Sequence, residues 1–149
     1  MSDTFSKIYI HIVFGVKFRQ PLIKSTWEDE MYKYITGLIN NKGQKLIAIN
    51  GMPDHIHVLI RLRPNCCISD LVREIKKSST NWIKERNLTP YKFSWQEGYG
   101  AFSCNYHSVE TVVKYIKNQK THHQKNDFEK EYRTLLDTNG IEYKEEYLF

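Results

Sequence analysis

The 149 residues suit one domain with one core, and 40% hydrophobic against 26% charged residues describes an ordinary globular chain. No run of about 18 apolar residues occurs, which argues against a membrane span, and the opening MSDTFSKIYIHIVF lacks the basic leader and cleavage site of a signal peptide. The net charge of +5 is compatible with a nucleic-acid partner, although proteins with other tasks share it. The three cysteines, Cys66, Cys67 and Cys104, fit neither a disulfide framework nor a zinc spacing, which points to a reducing, cytoplasmic setting.

No repeat, linker or low-complexity segment divides the chain, so residues 1–149 are expected to form a single domain. The first strand is predicted from about Lys7 to Lys17. It points Ile8, Ile10, Ile12 and Phe14 one way and Tyr9, His11 and Val13 the other. A helix follows from about Ser25 to Asn40. Ser25 and Glu28 make a capping-box pattern, and Trp27, Met31, Tyr34, Ile35 and Leu38 form an apolar stripe. A second strand, Gln44 to Gly51, turns through Gly51-Met52-Pro53-Asp54 into a third, His55 to Arg63. Ser69 is expected to cap a helix reaching about Arg86, with Leu71, Val72, Ile75, Trp82 and Ile83 inward. A fourth strand fits Gly98 to Asn105, and two helices fit Ser108 to His122 and Asn126 to Asp137.

The first six elements read β-α-β-β-α-β. This is the ferredoxin-like α+β order, an antiparallel sheet with both helices on one face. The first and third strands then neighbour each other at the centre, and the other face is left open for the two extra helices to cover. That face carries Tyr9 and His11 beside His55 and His57.

Two clusters carry chemistry. In His55-Ile56-His57 the strand alternation puts both imidazoles on one face, where they can share a metal ion, while Ile56 enters the core. Two surface histidines would read the same way. Tyr115 and Gln119, four apart in VVKYIKNQKTHH, are neighbours on a helix, on the flank of a stripe formed by Val109, Val112, Val113 and Ile116. His122 continues that flank. A boundary tyrosine beside a solvated glutamine is the bland alternative.

Together the clusters resemble the single-tyrosine HUH transposases of the insertion-sequence 200/605 group, which act on single-stranded DNA. HIVFGVKFRQPLI, GMPDHIHVLIRL, FSWQEGYGAFSCNYHS and YIKNQKTHH each look like family segments, and the likeness runs from about Lys7 to Asp137. The resemblance implies Tyr115 as nucleophile, forming a 5′-phosphotyrosine. It implies His55, His57 and Gln119 as ligands of Mg2+ or Mn2+. It also implies single-stranded hairpin DNA from element ends as substrate, and a homodimer in which the tyrosine helix acts either on its own subunit or on the partner.

Lys17, Arg19, Lys114, Lys117 and Lys120 are candidate DNA contacts, and His11 touches either DNA or the metal's surroundings. Arg73, Lys76 and Lys77 line another helix. Asp54 reads as a turn residue rather than a support for His55, and the place of Glu97 is open. Three other readings compete: a host-adopted relative acting on repeated hairpins, a non-enzymatic ferredoxin-like RNA-binding module, and a zinc hydrolase that would not need Tyr115.

Overall fold

A computed structural model describes residues 3–122 and 127–149, and of His122 only the backbone. Its central element is β1 (Ile8–Gly15), whose side chains alternate as the sequence pattern requires. Ile10, Ile12 and Phe14 enter the main core, while Tyr9 and Val13 face the opposite side with His11. A 3-10 turn, Lys17–Arg19, follows, so the strand is shorter than predicted. Two hydrogen-bonded contacts take over from it: the amide of Val16 donates to Asp54 O and that of Lys17 to Ser94 O.

Helix α1 (Glu28–Asn41) starts three residues later than expected. Ser25 makes no cap because the chain first turns, with the amides of Trp27 and Glu28 both donating to Lys24 O. Glu28 does not complete a capping box either. Its carboxylate accepts from Tyr32 and from Lys120, 3.0 Å away on a distant element. The buried stripe is Trp27, Met31, Tyr32, Ile35 and Ile39, so Tyr34 and Leu38 lie at its margin. Strand β2 (Lys45–Met52) turns tightly into β3 (His55–Leu62). Helix α2 (Ile68–Glu85) buries Leu71, Val72, Ile75, Trp82 and Ile83 as predicted. Its N-cap position is Cys67, and the Ser69 hydroxyl lies against Cys67 Sγ instead of capping.

Strand β4 (Gly100–Cys104) closes a four-stranded antiparallel sheet in the order β2-β3-β1-β4. This is the ferredoxin-like arrangement, with β1 and β3 adjacent and α1 and α2 on one face. The register pairs Val13 with His57 and Gly15 with His55.

The opposite face is not open. Helix α3 (Val109–Lys117) lays Ile116 and its valines over Tyr9, Ala48 and Leu59. A break at Asn118 separates it from the short α4 (Gln119–His122), so the single helix expected over this stretch is bent between Tyr115 and Gln119. Helix α5 (Phe128–Thr138), capped by the Asp127 side chain, adds Phe128 and Leu136 against Val13 and Phe102. The reason is energetic: Tyr9, Val13 and Leu59 would expose a broad apolar surface if uncovered. That cover also removes the stacking platform that a sheet-binding RNA module needs.

Candidate active site and metal centre

The strand pattern brings His55 and His57 to one face at the start of β3, both fully buried beneath α4 and α5. Each ring is held from behind. His55 Nδ1 donates to Asp54 Oδ1 at 2.7 Å, and its ring stacks on Phe128 at 4.0 Å. Asp54 is thus both the turn residue and the support that aims His55. His57 Nδ1 lies 2.8 Å from Nε2 of His11 on the neighbouring strand. Burial, and the adjacent His57, push the pKa of His11 down to about 3. A neutral imidazole can donate or accept, so His11 can hold His57 in either tautomer.

Both Nε2 atoms turn toward one carboxylate. Glu131, buried on α5, sets Oε1 at 3.1 Å from His55 Nε2 and 3.0 Å from His57 Nε2. Its Oε2 accepts from Gln119 Nε2 at 2.9 Å and from the Tyr115 hydroxyl. Gln119 Oε1 stands 3.1 Å from His55 Nε2. The structure therefore gathers Tyr115, His55, His57 and Gln119 around a residue that the sequence reading did not single out. Glu131 carries one signal: it falls three residues after Phe128 and four before Leu135, on the apolar stripe of its own helix. A carboxylate there must find buried partners.

The charges balance through these contacts. Burial works against a charge on His55, but the carboxylates of Asp54 and Glu131 outweigh it and raise its pKa above the usual histidine value. Burial, then the hydrogen bond and charge of Glu131, raise that of Tyr115 and keep the phenol protonated.

The donor set fits a divalent cation. One donor atom each from His55, His57 and Glu131 lies within 4.8 Å of the others. Two ligands at right angles, each about 2.1 Å from an ion, stand about 3 Å apart, which is the spacing of each imidazole and the carboxylate. The amide oxygen of Gln119 adds a further hard donor.

Comparison with known proteins decides the family. The family model described as "Transposase IS200 like" matches residues 4–119. The chain belongs to this family of transposases. Among relatives, the ISDra2 transposase TnpA of Deinococcus radiodurans is 24% identical over 120 residues, covering 73% of this chain and 81% of that protein. A Deinococcus radiodurans R1 crystal structure assigned as a transposase superposes with a TM-score of 0.64 at 22% identity, covering 80% of this chain and 95% of the other. A REP-associated tyrosine transposase bound to a REP hairpin gives 0.62 at 19% identity, covering 83% and 74%. These likenesses support the α+β sheet architecture. The matched region includes both histidines, Tyr115 and Gln119 and ends before Glu131.

In this transposase the expected DNA contacts are scattered. Lys17, Lys114 and Lys117 are exposed. Arg19 pairs with Glu129 at 3.1 Å, and Lys120 ties α4 to the sheet through Glu28 and Gly51 O. His11 stands behind His57 and is buried, a supporting position rather than a contact surface. Lys76 donates to the carbonyls of Gln96 and Gly98, a structural use, and Glu97 lines a cavity together with Arg19, Phe128 and Tyr132. The side chain of His122 lies outside the described residues. No described helix is long and apolar enough to cross a membrane.

Proposed function

We propose that this transposase cleaves and rejoins single-stranded DNA through Tyr115, with His55, His57, Glu131 and Gln119 holding Mg2+ or Mn2+. The observation that carries the reading is one shared carboxylate: Glu131 contacts both histidine Nε2 atoms and also accepts the tyrosine's proton bond. A bound divalent ion supplies Lewis-acid polarisation of the scissile phosphate. Tyr115 Oη attacks phosphorus, its proton passing to Glu131 Oε2. The new P–Oη bond replaces the P–O3′ bond, and the departing 3′ oxygen takes a proton from solvent water to become a free 3′-OH, while Glu131 later returns its proton to solvent. Because the tyrosine ester retains the bond energy, the 3′-OH of another strand reverses the step without ATP. Asp54 and His11 keep the two imidazoles aimed, and the Asn118 bend sets Gln119 toward His55 while Tyr115 stays on α3.

Glu131→Gln keeps the volume and the hydrogen bonds to Tyr115 but cannot take a proton. We expect adduct formation to fall on the order of 10²–10³-fold in a folded protein, with weaker binding of Mn2+ by calorimetry. Wild-type rates in this variant would remove Glu131 from the chemistry.

Hairpins at element ends are the proposed substrate, and the cytoplasm the place of action. A homodimer with self-contained sites is the proposed assembly, since tyrosine and histidines already meet within one chain. Mixing Tyr115→Phe with His57→Ala protein should accordingly restore no activity after subunit exchange is verified. Recovery would require the tyrosine helix to serve its partner. A host-adopted relative has the same site, and repeated hairpins in the surrounding genome, without element ends, would identify it.

A further inference from the structure

The sheet face that carries the histidines does not end at the active site. Along β3 the same alternation continues from His55 and His57 through Leu59 to Arg61, and Arg63 follows just beyond the strand. Arg61 is in register with Lys45 on β2 and Tyr9 on β1. Here α3 no longer covers the sheet, and an open cleft of about 900 Å³ forms, lined by Lys7, Lys45, Arg61 and Arg63. Among the described residues no acidic side chain lines it, and no carboxylate lies within 4 Å of any of these four cations. Phe5, 89% exposed, lines the same cleft, and Tyr106, 55% exposed, lies under the Lys7 ammonium at 4.1 Å.

Four like charges gathered without a counter-charge repel one another, and a polyanion relieves that repulsion. Exposed aromatic rings among cations are the composition that holds nucleic acid, the cations tracking phosphates and the rings accepting bases. The cleft begins four residues along β3 from His57, about 13 Å at about 3.3 Å per residue. One DNA molecule can therefore reach both places.

We propose that this cleft is a second DNA-binding site that grips the phosphate backbone of the substrate away from the scissile bond. The inference rests on the DNA-cleaving reading above. It assigns Lys45, Arg61 and Arg63 a role that the cations near Tyr115 do not fill.

The test uses the full chain and fluorescence anisotropy across a salt series. Two labelled probes are compared: a stem-loop with a single-stranded tail, and a linear strand of equal length. The variant is Lys45→Ala/Arg61→Ala/Arg63→Ala, and the control is Lys33→Ala/Lys84→Ala/Lys92→Ala, of equal charge change. The cleft variant should bind at least about tenfold more weakly near 0.1 M salt. Its salt slope should shrink by roughly 0.9 per lost contact on paired DNA or 0.7 on single strands. Loss confined to the stem-loop assigns the cleft to the paired stem, and loss on both probes assigns it to the strand. Unchanged affinity and slope on both probes, or an equal loss in the control, would overturn the proposal. Covalent adduct formation by the wild type is scored separately. Its absence counts against the cleavage reading, while the anisotropy comparison still decides the cleft.

Discussion

Replacing Tyr115 by phenylalanine is expected to abolish the covalent protein–DNA adduct while leaving DNA binding nearly unchanged. The change removes one oxygen from a ring that otherwise stays packed edge-on to His57 and His11. Glu131 Oε2 loses one donor but keeps Gln119 Nε2, so stability should fall by only about 1 kcal/mol. The chemical loss is of another order. The variant has lost the attacking oxygen itself, and the rate should drop on the order of 10⁴-fold or more. Denaturing gels with labelled single strands measure the adduct, and anisotropy measures binding. Equal adduct yield would move the nucleophile to another tyrosine, with Tyr99, Tyr106 and Tyr132 the first to examine.

His57→Ala should be the most damaging change to the metal donors. His57 is fully buried, with His11 on one nitrogen and Glu131 on the other. Its removal takes away a ligand and leaves both partners under-satisfied, at a cost of about 2–4 kcal/mol in stability. Cleavage should fall on the order of 10³-fold. Gln119→Ala should cost less, since its amide is one donor beside a carboxylate and two imidazoles. A melting curve separates lost chemistry from lost fold. Chelator applied to the unaltered protein should reproduce the loss of cleavage without any loss of structure, and added Mn2+ should restore it. Full cleavage by metal-stripped protein would refute the role given to the donors.

The sheet order and the histidine pair were readable because strand alternation is local and strict. Ile56, Val58 and Ile60 fix the register of β3, and His55 and His57 follow from it. The nearness of Tyr115 and Gln119 was also legible, although the Asn118 bend was not: there the carbonyls of Ile116 and Lys117 accept from the Asn50 side chain, 66 and 67 residues away on β2. The capping box at Ser25 and Glu28 misled for a similar reason: an ion pair with Lys120, 92 residues away, claims the glutamate. Glu131 was hidden because its partners come from β3, α3 and α4, and only tertiary structure joins them. The basic cleft was equally out of reach, since Lys7, Lys45, Arg61 and Arg63 meet through strand register.

Mass spectrometry of the trapped adduct tests the central claim most directly. Protein incubated with labelled single strands from its own genomic flanks and Mn2+ is digested, and the peptide bearing the nucleotide is sequenced. The account predicts a 5′-phosphonucleotide on the Tyr115 Oη, formed only with a divalent metal present. Cleavage that proceeds with the nucleotide on another residue, or with no covalent adduct, would contradict it.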